Sequence, residues 1–296
     1  MMSFYKTPDW NVLGADWPHR DHSDFVEAGD YCWHVQRFGA GPLLLMLHGT
    51  GASAHSWAPL ASRLHDQFEI FAVDLPGHGF TAGHRRLTPT LPYVAGEVDT
   101  LLETLGIEPA IIAGHSAGAA IAVEMVRRGR VRPRGLVCIN GAFEPFEGAA
   151  GFLFPVIAKL LYFNPLTAYA IARSAGDRKR VLKLIEQTGS SVPEQMTDCY
   201  AALLRQPAHV AGALGLMAHW DLSDMGAALA ALDMPALFLA GEKDGAVPAR
   251  TSEMAAELAP QATLKTLESL GHLLHEEAPA ETAEIIADFA RKIGVI

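Results

Sequence analysis

The sequence predicts an α/β fold in which a mostly parallel eight-stranded sheet carries helices on both faces and an inserted helical lid. Short apolar runs alternate with helix-length segments over the first 139 residues. These runs lack hydrophobic–polar alternation, as expected of parallel strands that are covered on both faces. A long block without strand signals then separates them from two further apolar runs near the end of the chain, which is the pattern of a sheet with an insertion.

The first two strands are predicted to form an antiparallel hairpin. DFVEA and YCWHVQRF flank Gly29 and Asp30, a pair that tolerates the positive φ angles of a tight turn. Four buried strands follow at LLLML (43–47), EIFAV (69–73), AIIA (110–113) and GLVCI (135–139). Because the segments between them, HSWAPLASRLH, LPYVAGEVDTLLETL and AGAAIAVEMVRRG, have helical length, we expect right-handed crossovers.

The strand signal is absent from residues 140–232, which are rich in Ala, Leu and aromatic residues and are punctuated by prolines. Strands return at ALFLAG (236–241) and ATLKTL (262–267), and a last helix is expected in EEAPAETAEIIADFARKI. We therefore predict a core made of residues 1–139 and 233–296, with residues 140–232 forming the helical lid between two strands of one sheet.

Composition narrows the class of protein. The 296 residues carry a net charge of −10 with no long basic block, which argues against a nucleic-acid partner. The three cysteines are widely spaced and indicate a reducing compartment. No secretory signal is predicted, because the N-terminal residues lack a basic start followed by an apolar stretch. No transmembrane segment is predicted either, since the most apolar stretch, GAAGFLFPVIAKLLYF, is too short and contains Pro155 and Lys159. A cytoplasmic location is expected.

The glycine loop in LLLMLHGTGASAHSW admits two interpretations. Gly49, Gly51 and Ala54 fit the G-x-G-x-x-G/A spacing that holds a dinucleotide pyrophosphate, and Asp74 lies where that fold places an acid for the ribose. However, a hairpin precedes this loop, whereas the dinucleotide motif normally follows the first strand of its fold. The alternative is a loop that stabilises negative charge on a substrate oxygen.

A second loop favours that alternative. AIIAGHSAGAAIA places Gly114-His115-Ser116-Ala117-Gly118 between a buried strand and a helix, which is the G-x-S-x-G pattern. The serine of this pattern sits in a strained turn that lifts its hydroxyl above the sheet, and the glycines leave room for the turn. We predict Ser116 as the catalytic nucleophile, with the amides of Ala117 and Thr50 as the oxyanion hole.

The partners of Ser116 are expected after two later strands. FLAGEKDGAVP places Asp244 just past one strand end and LESLGHLLHEEAP places His272 just past the next, in the chain order Ser, Asp, His. Glu242 is a rival acid that lies closer to its strand. Asn140, which follows the sixth strand, cannot stabilise an imidazolium as a carboxylate does. His275 and Glu276 are more simply a helix start than a metal site, and no metal or cofactor is predicted.

These motifs resemble the α/β-hydrolase superfamily across nearly the whole chain: HG after the third strand, DLPGHG, GHSAG, GEKDGAVP and LGHLLHEEAP. More narrowly, GADWPHR, WHVQRFGAGPLLLMLHGTGASAHSW and HVAGALGLMAHWDL resemble the magnesium-chelatase accessory proteins of bacteriochlorophyll biosynthesis. The first resemblance implies the α/β-hydrolase fold. The second implies a role near magnesium insertion into a porphyrin, without supplying a reaction.

The expected function is therefore a cofactor-independent serine hydrolase that acts on an ester or other acyl bond. The aromatic residues of the lid favour a hydrophobic substrate, and we expect Trp220 and Phe143 to contact it. The alternative is a non-catalytic protein that binds a porphyrin or magnesium chelatase and has merely inherited the triad. Members of this fold that place an aspartate at the turn are disfavoured by Ser116.

Overall fold

A computed structural model describes residues 5–83, 88–144, 161–175 and 177–296. Each apolar run predicted as a strand forms one. The strands are β1 (Ser23–Ala28), β2 (Tyr31–Gly39), β3 (Leu43–Leu47), β4 (Glu69–Val73), β5 (Ala82–Gly83), β6 (Ile111–His115), β7 (Gly135–Ile139), β8 (Ala236–Gly241) and β9 (Ala262–Leu267).

One sheet contains all of these strands in the order β1-β2-β4-β3-β6-β7-β8-β9, and β5 pairs with β2 at one edge. The β1–β2 hairpin is antiparallel, and β2 is antiparallel to β4. Every pairing from β4 to β9 is parallel. The mostly parallel eight-stranded sheet is thus confirmed, and the additional strand, β5, has only two residues, too few to produce a sequence pattern.

The described helices connect and flank these strands. They are α1 (Trp10–Leu13), α2 (Ala58–Leu64), α3 (Leu91–Leu105), α4 (Ala117–Arg128), α5 (Pro165–Ala175), α6 (Arg178–Gln187), α7 (Glu194–Leu204), α8 (Pro207–Ala218), α9 (Met225–Ala230), α10 (Ala249–Leu258), α11 (Leu274–Glu277) and α12 (Pro279–Lys292). None of the helices in the described ranges is both long and apolar enough to cross a membrane.

The absence of alternation in the strand sequences follows from cores on both faces of the sheet. In β3, Leu45 and Leu47 pack into one hydrophobic cluster together with residues of α3 and α4. Leu44 and Met46 point the other way, into a cluster with residues of α2 and α12. Successive side chains of a strand face opposite sides, so a strand with two buried faces needs an apolar residue at every position.

Helices α5 to α9 occupy the chain between β7 and β8, and we refer to them as the helical insert. Helices α5 to α8 pack mainly on one another, whereas α9 packs against α4 on a face of the sheet. The insert includes most of the segment predicted as a lid, whose boundaries at residues 140 and 232 stay a prediction. Three aromatic residues of the predicted lid, Phe146, Phe152 and Phe154, lie outside the described residues.

Candidate active site

Ser116 occupies the sharp turn between β6 and α4, with a φ of 52° and a ψ of −117°. This left-handed conformation costs a non-glycine residue about 1–3 kcal/mol, which the surrounding structure must offset. The Ser116 amide donates to the carbonyl of Ile139 in β7 at 3.0 Å, which anchors the turn to the sheet. A Cβ on Gly114 would collide with Gly118 and Ala119, so the glycine is required by the close approach of α4.

Asp244 and His272 lie beyond β8 and β9 and are hydrogen-bonded to each other. His272 Nδ1 donates to Asp244 Oδ2 at 2.7 Å, and the Asp244 side chain is fully buried. The other oxygen, Oδ1, accepts the amides of Ala246 at 2.8 Å and Val247 at 2.7 Å, which fixes the plane of the carboxylate. Because Nδ1 carries the proton, Nε2 presents a lone pair and can act as a base.

The rival acid, Glu242, has its side chain in solvent. Its backbone amide continues the β8–β9 ladder by donating to Leu267 at 3.0 Å, but its carboxylate has no contact with His272 in the structure. The structure therefore pairs Asp244, and not Glu242, with the imidazole.

Ser116 and His272 line one cleft of about 230 Å³. No direct hydrogen bond joins their side chains, as is common for the catalytic groups of unliganded enzymes, whose contacts tighten when substrate binds. The other side chains that line the cleft are mostly apolar and come mainly from the helical insert and from the loops after β3 and β9; they include Ala52, Val181, Leu184, Ile185, Thr188, Tyr200, Leu204 and Leu273.

Two backbone amides close to Ser116, those of Ala117 and Thr50, have no acceptor among the described residues. Ala117 is the first residue of α4, so its N–H has no partner within the helix. The N–H of Thr50 likewise donates to no backbone or side-chain group. Gly49 packs so closely on Ser116 that a Cβ would come within 2.9 Å of the serine Cβ. Both amides are thus available as donors, and their role as an oxyanion hole stays a prediction.

Two buried histidines hold the loop that carries Thr50. His48 donates from Nδ1 to the carbonyl of Gly49 at 2.7 Å and accepts the Leu75 amide at Nε2. His209 of helix α8 donates from Nε2 to the carbonyl of Gly51 at 3.1 Å. Burial lowers the pKa of each of these histidines to about 3, so both are neutral and can accept as well as donate.

The dinucleotide interpretation of the glycine loop is wrong for this fold. Asp74, which would bind the ribose in that interpretation, is completely buried, and both of its carboxylate oxygens accept hydrogen bonds from the protein. It accepts the amides of Ala54 at 2.7 Å and Phe80 at 2.8 Å, and His34 donates to it at 2.8 Å. Asp74 therefore anchors the loop after β3 and has no face available to a ligand.

A second Ser–His–Asp arrangement occurs elsewhere in the chain. Ser23 Oγ and His34 Nε2 are 3.1 Å apart, and His34 Nδ1 bonds to Asp74. Neither Ser23 nor His34 lines the cleft at Ser116. His34 is fully buried against the rings of Trp10 and Phe80. Because Ser23 lies in no strained turn, this arrangement is structural. Ser23 can therefore serve as a control for substitutions at Ser116.

Asn140 has a role that its sequence position did not reveal. It follows β7 with a φ of 44°, and its side-chain amide donates to the carbonyls of Gly271 at 3.0 Å and His272 at 2.8 Å. Its Oδ1 accepts the amide of Gly241 at the end of β8. Asn140 thus joins β7, β8 and the loop of His272. The only signal in the sequence was a polar residue directly after a buried strand.

The two aromatic residues predicted to contact substrate lie in the hydrophobic core. Phe143 is buried against Phe238, with ring centroids 5.8 Å apart. Trp220 is partly buried and packs against the same cluster. Neither side chain is among the described residues that line the cleft at Ser116. The proposed site therefore omits both, and its apolar wall is mainly aliphatic.

A buried polar network lies directly behind the His272 loop. Ser56 donates to Glu276 Oε1 at 2.6 Å, and Tyr200 donates to the same oxygen at 2.7 Å. His275 Nε2 lies 2.9 Å from Ser56 Oγ, to which it donates. Burial raises the pKa of Glu276 to about 7 and lowers that of His275 to about 3. Among the described residues no cluster of three or more His, Cys, Asp or Glu side chains could hold a metal ion.

Replacing Glu276 by glutamine should change the pH dependence of stability. Folding raises the pKa of this carboxyl from 4.5 to about 7, so wild-type stability is lost as pH rises through this interval. The free energy of unfolding of Glu276→Gln, relative to wild type, should therefore increase by about 3 kcal/mol from pH 4 to pH 8, at 1.36 kcal/mol per pKa unit. Urea unfolding of both proteins at pH 4 and pH 8 measures this difference.

Glu281→Gln is the control, because its carboxyl is exposed, and its free energy of unfolding relative to wild type should not change with pH. A difference for Glu276→Gln that is the same at pH 4 and pH 8 would contradict the raised pKa of Glu276.

Comparisons with known proteins identify the family and the fold of this chain. Residues 42–279 match the family described as alpha/beta hydrolase fold. The magnesium-chelatase 30 kDa subunit of Rhodobacter capsulatus is 38% identical over 95% of this chain and 99% of its own length. A pimeloyl-[acyl-carrier protein] methyl ester esterase of Stenotrophomonas maltophilia is 29% identical over 81% of this chain and 89% of its own.

Solved structures show the same fold. A thermophilic esterase from Thermogutta terrifontis superposes with a TM-score of 0.70 at 22% identity, covering 90% of this chain and 99% of its own. The predicted fold and the resemblance to the magnesium-chelatase proteins are both confirmed. Given this sheet order and a match over most of its length, the chain belongs to the α/β-hydrolase family.

Proposed function

We propose that this protein is a serine hydrolase that cleaves an ester or other acyl bond of a hydrophobic substrate, without a cofactor. The observation that carries the proposal is the cleft itself. It is lined by the strained Ser116, by His272, which bonds to a buried aspartate, and by Thr50. The amides of Thr50 and Ala117 have no acceptor among the described residues. These are the components that acyl transfer requires.

The reaction follows from these positions. Ser116 Oγ attacks the substrate carbonyl while His272 Nε2 takes its proton, and Asp244 stabilises the resulting imidazolium. The amides of Thr50 and Ala117 donate to the oxyanion of the tetrahedral intermediate. Collapse of the intermediate expels the alcohol, which receives the proton from His272, and leaves an acyl group on Ser116. Water, deprotonated by His272, then releases the acid.

The cleft limits which part of the substrate enters. Its volume of about 230 Å³ is below the roughly 300–1,000 Å³ of pockets that enclose drug-sized ligands. Its wall is aliphatic at Val181, Ile185 and Leu204, and Leu184 stands half-exposed at the rim. We infer that a short apolar group binds inside the cleft while the larger part of the substrate stays outside.

Turnover of p-nitrophenyl esters of increasing chain length tests this function. We expect hydrolysis of acetyl to octanoyl esters with kcat/KM falling sharply at palmitoyl, because a long chain cannot enter the cleft. A fluorophosphonate probe should label the wild-type protein covalently. Absence of both turnover and labelling in a folded protein would reject the hydrolase proposal.

A second candidate function is a non-catalytic accessory role, and the relative named magnesium-chelatase 30 kDa subunit favours it. In this role the chain contacts magnesium chelatase or a porphyrin near the magnesium-insertion step, and the triad is unused. To distinguish the two roles, wild type and Ser116→Ala are each expressed in a bacteriochlorophyll-producing strain that lacks its own homologue, and pigment synthesis is measured. Restoration by Ser116→Ala supports the accessory role, whereas restoration by wild type alone, with the variant folded and abundant, supports catalysis.

A further inference from the structure

The helical insert is bonded directly to the segments that carry the acid and the base. The carbonyl of Thr188, in the turn after α6, accepts the amides of His272 and Gly245, both at 3.1 Å. Ser190 is buried, and its hydroxyl accepts the amide of Leu273 at 2.8 Å. The turn between α6 and α7 therefore lies against both loops of the Asp–His pair instead of standing apart from them as a separate cover.

Tyr200 makes a further connection from the insert. It belongs to α7, its ring lines the cleft, and its hydroxyl donates to Glu276 Oε1 at 2.7 Å. Glu276 lies in α11, four residues after His272, and its amide donates to the carbonyl of Leu273 at 2.8 Å. A single side chain thus contacts the substrate cleft at its ring and the segment of the catalytic base at its hydroxyl.

The network also reaches His272 by a second route. The ring of His275 packs on that of His115 with centroids 4.5 Å apart, and the His115 ring lies 4.7 Å from that of His272. His115 Nε2 donates to the carbonyl of His272 at 2.9 Å. His275 donates to Ser56, and Ser56 donates to the carboxylate of Glu276 that Tyr200 also binds.

We propose that Tyr200 is a positioning residue for His272, acting through the hydrogen bond from its hydroxyl to the buried carboxyl of Glu276. This inference rests on the proposed serine hydrolase. The bond fixes α11 relative to α7, and so holds the imidazole of His272 in its contact with Asp244 while the ring of Tyr200 forms part of the cleft wall. Without it, His272 still bonds to Asp244 but samples a wider range of orientations.

The size of the effect follows from the chemistry of the bond. Removing one partner of a buried hydrogen bond is costly, because the remaining group stays unsatisfied. If the lost orientation of the base costs about 1.4 kcal/mol, the equivalent of one factor of ten in rate, kcat should fall about tenfold. Burial raises the pKa of the Tyr200 hydroxyl well above its usual value, so it remains a donor throughout the working pH range.

Tyr200→Phe tests the proposal because it removes the hydroxyl and keeps the ring in the cleft. We expect kcat for p-nitrophenyl butyrate to fall about tenfold while KM stays within about twofold, since transition-state geometry and not binding is lost. The low-field NMR signal of the His272 Nδ1 proton should exchange with water several-fold faster. Glu276→Gln, which keeps an acceptor oxygen, should retain most of kcat, whereas Glu276→Leu should match Tyr200→Phe.

Tyr93→Phe is the matched control. Its hydroxyl lies 3.1 Å from that of Tyr31, between α3 and β2 and away from the cleft, so kcat and the His272 signal should be unchanged. Unchanged kcat and unchanged proton exchange in Tyr200→Phe would overturn the proposal. If wild type proves inactive but Tyr200→Phe still accelerates exchange of the His272 proton, the positioning role stands and the proposed hydrolase function fails.

Discussion

Replacing Ser116 by alanine is expected to reduce kcat for ester hydrolysis at least about 10³-fold, and up to about 10⁶-fold, the range found when a triad nucleophile is removed. The fold should be unaffected, because the backbone bond from the Ser116 amide to Ile139 does not involve the side chain. Fluorophosphonate labelling should disappear. Turnover, labelling and thermal unfolding of the purified variant measure the three effects.

Ser23→Ala provides the control for this experiment. Ser23 also bonds to a histidine that bonds to an aspartate, but it lines no part of the cleft at Ser116. Labelling and turnover should be those of wild type. Labelling that persists in Ser116→Ala and disappears in Ser23→Ala would assign the nucleophile to Ser23 and reject the role of Ser116.

Replacing Asp244 by asparagine is expected to reduce kcat by about 10⁴-fold, the loss typical of a triad whose histidine is held in the wrong tautomer. Asparagine can donate to Nδ1, and that would place the imidazole proton on Nε2, where it blocks uptake of the serine proton. The amides of Ala246 and Val247 would still find an oxygen acceptor, so the loop should keep its shape. Steady-state kinetics on a short ester gives the comparison.

Glu242→Gln is the matched control, since this carboxylate is two residues away and exposed. Its activity should equal that of wild type. If Glu242→Gln lost activity and Asp244→Asn kept it, the observed 2.7 Å contact of Asp244 with His272 would have no catalytic meaning.

The elements of the core were predictable because their signals are local. A strand buried on both faces must be apolar along its buried length, and β3 and β7 satisfy this at all five residues, while β4 and β6 depart from it only at a terminal residue, Glu69 and His115. The G-x-S-x-G turn is local at Gly114, where a Cβ would clash with Gly118 and Ala119 of the same strand–turn–helix unit. Gly118 instead makes room for the backbone of Leu47 and His48 at the end of β3. The Asp–His pair was reached through chain order and the common edge of parallel strands.

What the sequence could not predict depends on contacts between distant residues. Tyr200 and Glu276 are 76 positions apart and meet only after the insert packs on the core. Glu276 was correctly placed at a helix start, yet its side chain points inward, and no local pattern distinguishes a buried acid from an exposed one. Trp220 and Phe143 were predicted to contact substrate but do not line the described cleft, because an aromatic residue between β7 and β8 suits a core and a ligand site equally well.

The most direct test of the account is a crystal structure of the protein after reaction with an organophosphate such as diethyl p-nitrophenyl phosphate. The account predicts a phosphorus–oxygen bond to Ser116, a phosphoryl oxygen within about 3 Å of the amides of Thr50 and Ala117, and the imidazole of His272 beside the adduct. An adduct on any other residue, or one on Ser116 whose phosphoryl oxygen points away from both amides, would contradict it.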